Sequence, residues 1–211
     1  MRAPVDGLTA VDDTTHDMIE TSTMRAPSML LKWLRAPFSI GAIAPSSRHL
    51  AREMVAAVDD TQPGFVVELG GGTGAITRVL AEKTGYERLV TVEFDPELAQ
   101  TLRNRFPRLN LIQGDAGELV ELLAQRGFEG VGNVVSGLPL LGMPPEVQRR
   151  IVGAAFAVMG PRGRFVQFTY GPVSPLRPTV MKELGVAGYR AGHALINLPP
   201  ARVWCYERTA D

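Results

Sequence analysis

Apolar and polar positions change period repeatedly along this chain. Phe65-Val66-Val67 is a short apolar run that ends on Glu68-Leu69 and a cluster of glycines. Ala75-Ile76-Thr77-Arg78-Val79-Leu80 then takes up helical spacing. The same switch recurs downstream. Leu89 to Glu93 reads as a β-branched strand, and Asp95-Pro96 caps a helix to about Phe106, with Leu98, Leu102 and Phe106 four apart. Leu109 to Gln113 predicts a third strand and Gly117 to Arg126 a helix. Asn133 to Ser136 predicts a fourth strand, Pro145 to Met159 a helix, and Arg164 to Tyr170 a fifth strand. A proline-rich loop, Gly171 to Pro178, leads to a short helix through Leu184. Two last strands, about Gly188 to Leu195 and Ala201 to Arg208, flank Asn197-Leu198-Pro199-Pro200. Strands alternating with helices predict an α/β fold with a mostly parallel sheet covered on both faces. The last two strands lie too close for a crossover helix, so they predict an antiparallel hairpin and a total of seven strands.

The N-terminal part reads differently. Residues 1–23 show no periodicity and predict a loosely ordered tail. Residues 24–45 form an amphipathic segment: from Pro27, a good first helical residue, Met29, Leu30, Trp33 and Leu34 share one face until Pro37. Arg25, Lys32 and Arg35 flank that face. Ser46 or Ser47 can cap a helix to about Val58, with Leu50, Met54, Val55 and Val58 on one side. Residues 46–211 are then the main domain.

Composition narrows the picture modestly. A chain of 211 residues is enough for one α/β domain with a full core. Lys+Arg and Asp+Glu balance at 22 each, which counts against a dedicated nucleic-acid binder. The balance hides an asymmetry: residues 1–20 carry mostly acid, whereas residues 21–52 carry Arg25, Lys32, Arg35, Arg48 and Arg52 and no acid. A basic, apolar stretch of this kind suits a surface that meets anions. Cys205 is the single cysteine, so an internal disulfide is excluded and a reducing compartment is expected. The opening residues lack the apolar core of a signal peptide. The uncharged run Val131 to Pro145 is too short and proline-broken to span a bilayer. A cytoplasmic protein that at most rests on a membrane is the expectation.

The chemistry begins at the glycine corner. Glycines let a backbone approach a ligand closely, and the helix that follows presents free N–H groups. Gly70-x-Gly72-x-x-Ala75 satisfies a dinucleotide fingerprint, while Glu68-x-Gly70-x-Gly72-x-Gly74 satisfies the first motif of S-adenosylmethionine enzymes. In the latter, the turn with Leu69 holds the methionine portion and Glu68 answers its ammonium. Ligands in open α/β sheets sit beyond the carboxyl ends of the strands, so the other strand tips decide. The second ends at Glu93-Phe94, whose carboxylate can accept from two vicinal ribose hydroxyls. The third ends at Gly114-Asp115-Ala116, an acid and a backbone N–H suited to an adenine edge. The fourth ends at Ser136-Gly137-Leu138-Pro139. Four such sites in register indicate a nucleoside-containing cofactor, and the last two favour S-adenosylmethionine over a nicotinamide dinucleotide. No metal is called for.

These motifs resemble those of class I methyltransferases, a Rossmann-like family, in the branch near the rRNA adenine dimethyltransferases. Three further stretches, Ile40 to Arg48 (with Ser46 and Ser47), Phe168 to Pro175 and Asn197 to Trp204, resemble the small bacterial phospholipid N-methyltransferases. That resemblance covers about residues 25–208. It implies stepwise methylation of phosphatidylethanolamine towards phosphatidylcholine, by a peripheral enzyme on the inner face of the cytoplasmic membrane. Where the adenine dimethyltransferases carry Asn-x-Pro-aromatic, this chain has Ser136-Gly137-Leu138-Pro139-Leu140. It lacks the Asn and the stacking aromatic that grip a flipped base.

On this reading Ser136, Gly137 and Leu138 position the substrate amine, and Tyr170 offers a ring face to the methylated ammonium. Phe38 and Trp33 are the next candidates for that role after Tyr170, and His193 is a candidate for the lipid phosphate. Arg25, Met29, Leu30, Lys32, Trp33, Leu34 and Arg35 form an interfacial helix for an anionic membrane, a lid over the cleft, or both. Two other functions stay open: methylation of rRNA adenine or another small amine, told apart by labelling of RNA rather than vesicles, and a non-catalytic cofactor-binding or membrane-docking module, told apart by tight cofactor binding without product.

Overall fold

A computed structural model describes residues 45–194 and 200–209. The interfacial segment (Arg25 to Arg35), Phe38 and most of the Asn197–Pro200 turn lie outside the described residues.

Seven strands form one sheet in the order β3-β2-β1-β4-β5-β7-β6. They are β1 Phe65–Leu69, β2 Leu89–Glu93, β3 Asn110–Gln113, β4 Val131–Ser136, β5 Met159–Thr169, β6 Val186–Ala194 and β7 Ala201–Arg208. The first five run parallel, and β7 is antiparallel to both β5 and β6. The mostly parallel sheet with an antiparallel C-terminal pair is the predicted architecture. The strand order reverses between β1 and β4, the place where such sheets open a crevice for a ligand.

Six α-helices are described: α1 Pro45–Ala56, α2 Ala75–Thr84, α3 Pro96–Arg105, α4 Leu119–Ala124, α5 Pro145–Val158 and α6 Pro178–Leu184. Alternation along each strand divides the core in two. On one face Val66, Leu89, Val135, Val166 and Val203 pack against Leu50, Met54 and Val55 of α1 and Leu80 of α2. On the other, Val67, Val90, Val134 and Phe165 meet Leu119 and Leu123 of α4 and Ile151, Val152 and Phe156 of α5. Both layers are needed because a parallel sheet is apolar on each side.

Boundaries depart from expectation in a few places. α1 begins at Pro45, so Ser46 and Ser47 lie in its first turn rather than ahead of it as caps. The helix expected over 117–126 is a 3-10 turn, Ala116–Glu118, followed by the short α4. β5 starts at Met159 instead of Arg164. Gly160-Pro161-Arg162-Gly163 carries turn signals, yet it belongs to the strand, across a register break between the Val131–Met159 and Asn133–Arg164 pairs. A bulge accommodates what a regular ladder would not.

Candidate active site

The tips of β1, β2, β3 and β4 are joined sideways just past their last residues. Gly70 N donates to the Val92 carbonyl at 2.8 Å, Gly114 N to Glu93 at 3.0 Å, and Gly137 N to Leu69 at 2.8 Å. This lateral stitching brings the four predicted stretches to one edge. Gly70, Glu93, Phe94, Asp115, Ala116 and Leu138 all line a single cleft, with Val92, Gly114 and Ile151 completing its walls.

The glycine corner runs with Gly70, Gly72 and Gly74 at φ of 75°, 53° and 81°. Side chains are strained in that left-handed region. Space is short as well: a Cβ on Gly70 would stand 2.7 Å from Leu138 Cδ2, and one on Gly74 would stand 2.4 Å from Phe106 Cε2. From outside, Arg105 Nη1 donates to the Thr73 carbonyl at 2.7 Å and pins the loop. Leu69 is core, its side chain fully buried.

Glu68 lies beneath this loop with no exposure. Its Oε2 accepts from Thr77 Oγ1 at 2.7 Å and Thr91 Oγ1 at 2.8 Å. Its Oε1 is buried and has no hydrogen-bond partner among the described residues. Burial outweighs the two hydroxyls and pushes its carboxyl up to about 7.

Glu93 is also buried. Oε2 accepts from Gly72 N at 2.8 Å and Oε1 from Asp95 N at 2.9 Å, so one carboxylate ties the glycine loop to the start of α3. Burial raises its pKa against those bonds. The helix cap itself is Asp95, which accepts from Glu97 N and Leu98 N. Asp115 caps its own turn through Gly117 N at 2.8 Å, and its other oxygen meets Arg150 Nη2 of α5 at 2.8 Å. Carboxylate oxygens have about two acceptor sites each, so Glu93 and Asp115 keep capacity for a ligand.

The turn after β4 is more internally engaged than its sequence suggests. Ser136 is fully buried, and its Oγ accepts from Leu138 N at 3.3 Å. The Leu138 carbonyl accepts from Leu140 N at 2.9 Å and from Gln167 Nε2 at 2.8 Å. A Cβ on Gly137 would come 2.7 Å from the Gly70 carbonyl, so the β1 and β4 tips touch there. Tyr170, past the end of β5, is exposed and sits edge-on to Phe168 with centroids 5.4 Å apart. His193 is an exposed residue of β6 opposite Arg202, away from the cleft-lining set. The side chains of Ser46 and Ser47 are outside the described set.

Two buried glutamines escaped the sequence reading. Gln148 of α5 donates to the carbonyls of Leu140 at 2.6 Å and Pro175 at 3.2 Å, and its oxygen accepts from Arg177 N at 3.1 Å. It thereby ties the loop after β4 to the loop after β5. Gln167 holds Leu138 from the adjoining strand. The available signal was a polar residue within an apolar pattern: Gln148 shares a helix face with Ile151, Val152 and Ala155, and Gln167 interrupts the apolar run of β5 between Val166 and Phe168.

A parallel sheet with a glycine turn and two carboxylates over one cleft at its switch point defines a Rossmann-like, nucleoside-binding enzyme site. The methyltransferase-domain family model matches residues 66–163. An ornithine lipid N-methyltransferase of Singulisphaera acidiphila is 38% identical over 145 residues, which are 67% of this chain and 76% of that protein. The small-subunit rRNA methyltransferase A of Geobacter metallireducens is 36% identical over 101 residues, but this covers 36% of that protein. In three dimensions the magnesium protoporphyrin IX methyltransferase of Synechocystis PCC 6803, solved with its cofactor bound, aligns at a TM-score of 0.61 and 13% identity. That alignment covers 85% of this chain and 91% of the other. The chain belongs to the class I S-adenosylmethionine-dependent methyltransferases, and S-adenosylmethionine is its cofactor.

The residues present fit that molecule. Glu68 Oε1 is an orphaned buried acceptor beneath the glycine turn, and Gly70 presents bare backbone to the cleft that it lines. Glu93 and Asp115 add acceptors at the neighbouring tips.

Proposed function

We propose that this enzyme methylates the amine of a membrane lipid head group, with phosphatidylethanolamine as substrate and phosphatidylcholine as the end of the series. The observation that carries the lipid reading is the reach of the likeness to the lipid N-methyltransferase, 76% of that protein. The likeness to the rRNA enzyme stops at 36%. Leu140, which stands where adenine dimethyltransferases place their stacking aromatic, is fully buried and offers no face to a base. Phosphatidylethanolamine within the lipid class rests on the resemblance of Ile40 to Arg48, Phe168 to Pro175 and Asn197 to Trp204. A second reading, the amine of an ornithine lipid, is favoured by the substrate in that relative's name.

S-adenosylmethionine supplies an electrophilic methyl on a sulfonium. Glu68 would answer the cofactor's ammonium, Glu93 would hold its ribose hydroxyls, and Asp115 with the Ala116 N–H would hold the adenine edge, beside the apolar side chains of Phe94, Leu138 and Ile151. A lipid amine has a pKa of roughly 10 by analogy with lysine, so the site must favour its neutral form. Burial next to a positive charge does so. The Leu138 carbonyl and the Ser136 hydroxyl already serve the turn. The Gly137 carbonyl is therefore the acceptor that aims the amine's lone pair. Ser136 braces that carbonyl's turn, and Tyr170 takes the ring-face contact with the methylated ammonium. The reaction takes place at an anionic membrane surface, where the basic, apolar segment Arg25 to Arg35 contributes attachment.

The test uses purified full-length protein, cofactor labelled on its methyl group, and vesicles of either phosphatidylethanolamine or ornithine lipid, with small-subunit rRNA as a third acceptor. Thin-layer separation is expected to show label in mono-, di- and trimethylated phosphatidylethanolamine, and none with Glu93→Ala. Label in ornithine lipid alone selects the second reading. Label in RNA without label in either vesicle sinks the lipid proposal.

A further inference from the structure

Five large apolar side chains are exposed among the described residues, and three of them lie on the two loops that follow β4 and β5. Leu141 follows β4 and is 45% exposed; Tyr170 and Val173 follow β5 and are 45% and 59% exposed. Gly171 is where the two loops meet. A Cβ there would stand 3.0 Å from Leu141 Cδ2, so the two loops touch.

The loops are held, which separates this patch from a casually exposed side chain. Gln148 links Leu140 to Pro175, Ser174 Oγ lies 2.7 Å from the Tyr206 hydroxyl, and Arg202 Nη1 donates to the Gly171 carbonyl at 3.1 Å. Apolar groups fixed outward in this way gain nothing from folding. Exposed apolar side chains on two touching, braced loops mark a contact surface.

Charge says what it contacts. Residues 137–144 and 170–177 contain no Asp or Glu, and the charged residue they do contain is Arg177, which is exposed. Arg202 adds a guanidinium at Gly171, and no ion pair of Arg202 is found among the described residues. Apolar loops with a tyrosine and cations, and no carboxylate within their own sequence, match the interfacial zone of an anionic bilayer.

We infer that Leu141, Tyr170 and Val173 form a bilayer-facing rim that beds into the membrane interface and presents the lipid head group to the turn at Gly137. The inference rests on the lipid reading for its occupant. It adds a contact surface within the catalytic domain, separate from the segment Arg25 to Arg35. The rim fixes orientation, because it lies on two braced loops, the first of which begins at the cleft-lining Leu138.

The experiment compares the full chain with a Leu141→Asn/Val173→Asn variant; Tyr170 is kept because of its place beside the amine. Both substituted positions are exposed, so folding is expected to be retained. Co-sedimentation with phosphatidylethanolamine vesicles containing phosphatidylglycerol is expected to weaken by about tenfold or more. Turnover of dihexanoyl phosphatidylethanolamine, kept below its micelle concentration, is expected to stay within about twofold. Unchanged sedimentation overturns the rim. So does an equal loss of turnover on the monomeric lipid, which assigns these side chains to the pocket or to another part of the chain. If the unaltered enzyme methylates neither lipid form, the lipid-substrate reading fails, and the sedimentation comparison still decides the rim.

Discussion

Glu68 has two hydroxyls on one oxygen and no partner among the described residues on the other, inside a protein that exposes none of it. Burial lifts its pKa from 4.5 to about 7, so the folded state holds the proton more tightly than the unfolded chain does. The stability this contributes is complete below about 4.5 and is lost as pH rises through about 7. In cofactor-free protein, Glu68→Gln is expected to abolish that fall, a difference on the order of 2–3 kcal/mol between the two ends of the range. Urea unfolding midpoints from pH 4.5 to 8 measure it; parallel pH profiles for the two proteins refute it. Glu68 was legible in the sequence because it ends an apolar run and opens a glycine turn. Its threonine partners were not, since Thr77 and Thr91 come from a helix and a neighbouring strand. The same holds for Asp115: its place at a strand tip could be read, whereas its pairing with Arg150 depends on how α5 packs.

At the scale of elements, one helix side chain braces the loops after β4 and β5 against each other. Gln148 satisfies the Leu140 and Pro175 carbonyls and the Arg177 N–H, all of them backbone groups without a regular ladder. Gln148→Leu keeps the volume and removes every one of those bonds. A cost of about 2–4 kcal/mol is expected, read as a lower urea midpoint, with a raised KM for lipid because the rim loses its frame. A midpoint within error of the unaltered protein's would show that the loops hold themselves. Periodicity predicted α5 and β5 but could not predict this bracket, because a glutamine leaves no mark in an apolar pattern beyond the interruption itself. The misplaced start of β5 has a similar origin. Gly160-Pro161 reads as a turn locally, while the neighbouring strand draws it into the sheet through a bulge.

For the molecule as a whole, the decisive contact is between the tips of β1 and β4, where the strand order reverses. Gly137 N meets the Leu69 carbonyl, and there is no room for a methyl group against Gly70. Gly137→Ala is expected to push the two tips apart and weaken binding of S-adenosylhomocysteine by roughly tenfold or more, in line with the cost of overpacking. The loss of global stability should be smaller. Calorimetric titration checks it, and unchanged affinity would mean that the tips are free to shift. The alternation of strands and helices made the parallel part of the sheet readable from the chain, though not the order of its strands. The antiparallel end was readable only as a hairpin, and its insertion has its own consequence. β7, the last of the seven strands in chain order, lies between β5 and β6. During synthesis, β6 therefore emerges before β7, its one partner among the described strands, and β5 keeps an open edge until Ala201 to Arg208 have left the ribosome. For that interval the nascent protein carries an unpaired row of backbone donors and acceptors, the form in which sheets recruit unintended neighbours.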